Sequence, residues 1–259
     1  MAIRKVQVPG NAKAAKPPKF PEICQTGYAG LVVRFGDQLN EAGNRASLAF
    51  AAEVTAAGLA GVLEVSTALQ SVLLRYDPLL VSPEALRADL AAALTQRDWY
   101  AASLPQGRTL WEVPACFGGA YGPEFEQACS LAGVSQAEAV AELCATPLRV
   151  QAIGFAPSQP YLGELPPNWD FPRQATLNPQ VPKGALVAAI RQIVLFSVPS
   201  PTGWLHIGQT GLSLFDPARD PAFMLRAGDE IALRPVSEAE FETSCAAAPY
   251  GGAVRRALP

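Results

Sequence analysis

The chain has 259 residues, 49% apolar and 17% charged, with a formal net charge of −3. That length allows one large domain or two small ones with a real core, the apolar fraction argues against global disorder, and the slight negative charge gives no sign of a nucleic-acid footprint. Five cysteines at wide spacing (Cys24, Cys116, Cys129, Cys144, Cys245) give neither an even disulfide framework nor a CxxC zinc pair, and His206, the one histidine, precludes a multi-histidine metal site within this chain.

Residues 1–26 read as a flexible basic tail. Arg4, Lys5, Lys13, Lys16 and Lys19 precede Phe20 with no acidic residue and no apolar h-region, so a signal peptide is not expected. Residues 27–104 read as a small α+β domain. A β-rich run at 30–35 is closed by Gly36-Asp37, and 41–57 carries Ala46, Ala49, Phe50, Val54 and Ala57 at helical spacing. Strands follow at 62–65 and 72–76. Ser82 caps a second helix with Pro83 at its first position and Leu86, Leu90 and Leu94 on one face. The order strand, helix, strand, strand, helix predicts helices packed on one face of a sheet.

A linker is expected near 101–107. Beyond it, 105–245 reads as a β-barrel domain, opening with a strand at 110–113 and two helices at 123–132 and 136–145. Ser135 and Glu138 stand at capping-box spacing before the second helix. Short β-runs at 150–155, 186–190, 193–198, 204–208 and 230–236 then alternate with Pro/Gly turns, the pattern of a closed barrel. Residues 246–259 are expected as a C-terminal tail. The most apolar stretch, 184–198, is interrupted by Arg191 and Gln192 and is too short to span a membrane, so a cytoplasmic protein with no membrane or nucleic-acid partner is expected.

Several strings recur in a characteristic order: Gly154-Phe155-Ala156-Pro157, Tyr161-Leu162-Gly163, Pro172-Arg173, Val181-Pro182-Lys183-Gly184, Gln192, Ser200-Pro201-Thr202-Gly203-Trp204, Ile207-Gly208-Gln209-Thr210 and Leu214-Phe215-Asp216-Pro217. Upstream stand Phe35-Gly36-Asp37, the run 71–78, Phe117-Gly118-Gly119 and Gly122-Pro123-Glu124-Phe125-Glu126. Together they resemble the family that holds the B-type (PxpB) subunit of 5-oxoprolinase, the sporulation-kinase inhibitor KipI and the first subunit of allophanate hydrolase, whose module also occurs in the carboxyltransferase part of urea carboxylase. The resemblance covers about 27–241. It implies a small α+β domain followed by a cyclophilin-like β-barrel. It also implies a non-autonomous enzyme subunit that acts on a small amide or lactam substrate with a homologous C-type (KipA/PxpC-like) subunit and an A-type subunit. ATP would be used by the assembled complex. No cofactor is expected on this chain, since Gly118-Gly119 lacks the Lys-Ser/Thr of a phosphate loop. The alternative is a non-catalytic KipI-like inhibitor of a histidine kinase.

Some positions depart from the family pattern. Leu143 stands where the family carries a histidine, Ser158-Gln159 replaces Gly-Phe, Leu177-Asn178 replaces a second Pro-Arg, and a glycine-rich string is here 190–196, of which only Gln192 survives. Gln209 occupies the arginine position of Gly-Arg-Thr. Lost glycines matter where positive φ or close approach is needed.

Five residues are candidate substrate contacts, and catalytic groups are left unassigned. Arg173, in a loop bracketed by prolines, suits a bidentate carboxylate donor or a loop-anchoring ion pair. Gln192, inside an apolar run, must find a partner in ligand or protein. Tyr161 can line a ligand or the core, and Thr210 offers a hydroxyl. His206 can act as acid or base or sit as a satisfied histidine. Arg173 and Gln192 are expected to approach one concave surface with Tyr161 or Thr210 nearby.

Overall fold

The computed structural model describes residues 19–247 and 250–258; most of the expected basic tail lies outside them. The first strand starts inside that tail: β1 (Glu22–Thr26) pairs along its length with β2 (Gly30–Arg34). Gly27, at φ 58, makes the connection. Helix α1 (Glu41–Ala57) begins where the Asn40 side chain accepts from Gly43 N at 2.8 Å and ends at Gly58 in the left-handed region. Strands β3 (Val62–Ala68) and β4 (Ser71–Tyr76) form a hairpin, with β4 lying between β2 and β3.

That central position explains the inward alternation of Val72, Leu74 and Tyr76, each at most 1% exposed. Helix α2 (Pro83–Leu94) is capped by Ser82 as its sequence implies, and it buries Leu86 and Leu90. Phe50 of α1 meets Trp99 edge-on at 5.0 Å. These side chains form one core of helices on a four-stranded sheet, each large apolar residue contributing about 1.5–3 kcal/mol.

A second core fills the barrel. Its elements in chain order are β5 (Thr109–Phe117), α3 (Phe125–Ala132), α4 (Gln136–Cys144), β6 (Leu148–Ile153), β7 (Pro160–Gly163), β8 (Asn178–Val181), β9 (Ala185–Ala189), β10 (Gln192–Leu195), β11 (Ser200–Thr202), β12 (Leu205–Thr210), β13 (Glu230–Pro235), α5 (Glu238–Ala247) and β14 (Val254–Ala257). Neighbours run β6-β13-β5-β12-β9-β10-β7, and β7 pairs back onto β6, which closes the ring. This is the cyclophilin-like barrel that the resemblance implies. Helices α3 and α4 cover it with Phe125, Ala128, Cys129, Ala139 and Leu143, and the capping box of Ser135 and Glu138 is formed. Leu143 is core, 1% exposed.

The run 184–198 is the β9–β10 hairpin, and among the described residues no helix is long and apolar enough to cross a membrane. Strands β7, β8, β11 and β14 and helix α5 have no counterpart in the pattern reading. The first three are three or four residues long and contain proline, too short for periodicity to register. The expected C-terminal tail carries β14, which pairs with the first half of β5, the edge that β12 leaves open by taking only Ala115–Phe117.

The chain passes between the cores from Tyr100, packed on the first, to Trp111, within the second. The sheets nevertheless touch, through the single pair Ala68↔Ala152 of β3 and β6. Fully buried Asn44 spans the seam: its Nδ2 donates to Leu69 O at 2.6 Å and to Gln151 O at 3.1 Å. The boundary is thus a break between cores, not between sheets.

Two consequences are measurable. Asn44→Ala leaves the buried Gln151 carbonyl without that donor, so stability should fall by about 1–3 kcal/mol in chemical denaturation; an unchanged midpoint would show that the seam does not depend on it. At the β9–β10 turn, Ile190 and Arg191 both adopt positive φ (44 and 59). A β-branched residue is strained there, so Ile190→Asn should stabilise by roughly 1 kcal/mol, read as a raised melting temperature.

Candidate functional site

The turn between β6 and β7, the loop after Pro172 and the β11–β12 turn converge on a cavity of about 230 Å³. Its walls include Phe155, Tyr161, Val194, Phe196 and Trp204, with Arg173 and Gln159 as polar groups. The β7–β10 register sets one wall. Val194 pairs with Tyr161 and the two share one face of the sheet, with Leu162 and Ile193 on the other; Val194 is buried and Tyr161 packs against the same core. Tyr161 and Trp204 pack edge-on at 6.2 Å.

Arg173 is exposed and makes no hydrogen bond or ion pair among the described residues, so its guanidinium is free for an anion. Burial holds the Tyr161 hydroxyl above its ordinary value of 10.0, with the positive charge of Arg173 opposing, so the group remains a neutral donor. The arginine loop is fixed by Glu124, just before α3. One carboxylate oxygen accepts from His206 N at 2.6 Å and the other from Gln174 Nε2 at 2.8 Å. Gln174 N also donates to Gly203 O at 2.6 Å. Approach of this segment to β12 requires Gly122, where a Cβ would lie 2.2 Å from Ile207 O.

Arg173 and Tyr161 therefore come together, while the other sequence candidates lie elsewhere. Gln192 does not line this cavity: its Nε2 donates to Gln151 Oε1 at 2.8 Å, both side chains being buried. Thr210 is buried at the far end of β12 and donates to Gly184 O at 3.3 Å. There Gly184 approaches so closely that a Cβ would stand 2.2 Å from Thr210 O. His206 is 5% exposed, its Nε2 lies 3.1 Å from Gly208 O, and burial pushes its pKa below 6.5 against the opposing influence of Glu124. It is a neutral, internally bonded imidazole.

Pattern reading misses Gln159 and Glu124 as site residues. Glu124 belongs to a string that carries the resemblance, and Gln159 stands out only as a departure from the family; neither signal predicts a contact partner. Burial pushes the Cys144 thiol up to about 11, so it is not activated as a nucleophile.

A larger cleft of about 560 Å³ lies at the seam between the cores. Its carboxylates are already engaged: Glu41 with Arg149, Glu164 with Arg191, Glu230 with Arg108, and Glu142 with the Trp169 indole, although the buried Arg149 Nε has no partner. The smaller cavity has a whole guanidinium without an ion pair, at Arg173, together with the unpartnered Gln159 Oε1, and is the better candidate. Among the described residues, no group of three or more potential metal ligands is present.

The family model for the carboxyltransferase domain, subdomain C and D, matches residues 21–225. The chain is 30% identical over 230 residues to the B-type subunit of 5-oxoprolinase from Bacillus subtilis (strain 168), covering 85% of this chain and 95% of that protein. It is 36% identical over 162 residues to the B-type subunit of 5-oxoprolinase from Escherichia coli O157:H7, covering 62% and 73% of the two chains. Among solved structures, TTHA0988 matches with a TM-score of 0.67 at 31% identity; the match covers 80% of this chain but 40% of that one, so this chain spans less than half of its length. The K. lactis urea amidolyase matches with a TM-score of 0.68 at 14% identity, covering 91% of this chain and 16% of that one, which shows the fold alone. With near end-to-end similarity to one curated relative and a domain match across most of its length, the chain belongs to the family of 5-oxoprolinase B-type subunits.

Proposed function

We propose that this chain is the B-type component of a cytoplasmic, hetero-oligomeric amide- or lactam-processing enzyme of the 5-oxoprolinase kind, completed by a homologous C-type subunit and an A-type subunit. The observation that carries this reading is the match along 95% of a B-type subunit of 5-oxoprolinase. The geometry supports it: a small cavity with an aromatic wall, a free guanidinium at Arg173 and a neutral hydroxyl donor at Tyr161 suits a small ring bearing a carboxylate. Arg173 binds the carboxylate, Tyr161 and Trp204 hold the ring, and Glu124 keeps the arginine loop in register with β12. Hydrolysis of an amide at neutral pH needs activation, which ATP supplies in the assembled complex; this chain's part is binding and orientation.

Co-expression with the C-type and A-type subunits should yield a stable complex that forms glutamate from 5-oxoproline in an ATP-dependent manner, while the isolated chain shows no turnover. In that complex Arg173→Ala should raise KM by roughly 10- to 100-fold, as expected for loss of a charge-assisted hydrogen bond, with assembly intact by gel filtration. Failure to associate with either of the other subunits, together with inhibition of a histidine kinase, would instead support a non-catalytic inhibitor.

A further inference from the structure

Gln159 is a buried polar group that the protein leaves unsatisfied at this cavity. Its side chain is 1% exposed, lines the cavity, and its Oε1 has no hydrogen-bond partner. Nor does its Nε2 make a hydrogen bond among the described residues. Burying the Oε1 acceptor in this state is unfavourable until something supplies a donor, while Nε2, which is not fully buried, stays open to an acceptor. The backbone holds the residue in place: Gly154 N donates to Gln159 O at 3.0 Å, and Gln159 N donates to Ala156 O at 3.1 Å. The free amide therefore belongs to a fixed turn.

A planar carboxamide offers one acceptor and a donor pair in one plane. Its best complement is an amide whose N–H and C=O lie on the same side, which a small lactam ring enforces. An open-chain trans amide points the two groups in opposite directions. We propose that Gln159 is a specificity-determining residue of this cavity, pairing its carboxamide with the cis-amide edge of a lactam acid whose carboxylate meets Arg173. This rests on the carboxylate-binding reading given above, and it adds what that reading lacks: a group that distinguishes a lactam from any other small cyclic acid.

The test compares 5-oxoproline with cyclopentanecarboxylate, which keeps a five-membered ring and the carboxylate but has no amide, by titration calorimetry on the full chain. Wild type should bind 5-oxoproline roughly 10- to 100-fold more tightly, the worth of satisfying a buried amide. Gln159→Leu should erase that preference by weakening 5-oxoproline alone. It should also unfold at the wild-type temperature or above, because an unpaired buried amide has been removed. Gln159→Glu loses the donor pair and sets a carboxylate near the ligand's own, so both acids should weaken. Arg173→Ala should weaken both acids equally. If Gln159→Leu keeps the preference, or loses stability, Gln159 is structural and the inference falls while the carboxylate reading stands. If Arg173→Ala leaves both affinities unchanged, or wild type binds neither acid, the carboxylate reading falls and takes the inference with it.

Discussion

Closure of the barrel rests on a strand of four residues. β7 pairs with β6 on one side and β10 on the other, and without it the ring would end in two open edges. Its alternation fixes what each face can do. Leu162, fully buried, enters the core, while Tyr161 and Gly163 turn the opposite way. Tyr161 becomes a wall of the candidate site. Gly163 makes room for the buried amide pair beside it, since a Cβ there would stand 2.8 Å from Gln151 Oε1. One short strand thus sets the core, the cavity wall and the link towards the first domain.

Two buried glutamines show how tertiary context assigns a polar side chain its work. Gln192 finds Gln151 across the sheet, and the Gln151 backbone carbonyl accepts from Asn44, so a run of amides extends from the barrel to helix α1. Such a run stabilises most when its members are satisfied, and here the Asn44 Oδ1 acceptor is the member left without a partner. Gln159, at the other end of β7, has no such neighbour, and its turn delivers it into the cavity instead. The same residue type is structural at one position and available at the other.

Glu124 links the surface of the barrel to the site. By accepting from the His206 backbone and the Gln174 side chain, it joins the start of α3, strand β12 and the arginine loop. Arg173 itself has no anchor among the described residues, so its placement depends on this neighbouring clamp. Rigid support around a free charge is the arrangement that favours ligand capture over side-chain wandering.

The sequence by itself determined the elements whose signals are local. Helix α1 follows from its apolar spacing and from Gly58, α2 from Ser82 and Pro83, and α4 from its Ser135–Glu138 box. The strings between Phe35 and Pro217 likewise carry the family and with it the two-part fold. Contacts between distant segments were decided only by tertiary structure. Gln192 resembles a ligand group in sequence because an apolar run hides the glutamine 41 residues away that satisfies it. Strand β14 resembles a tail because its exposed Val-Arg-Arg-Ala has no apolar pattern, and pairing with β5 supplies backbone hydrogen bonds that no sequence periodicity records. Arg173 and Tyr161 are recognisable as residue types, but their meeting depends on a strand register and a glutamate clamp. Burial and hydrogen-bond partners are properties of the closed barrel, and residue spacing alone does not encode them.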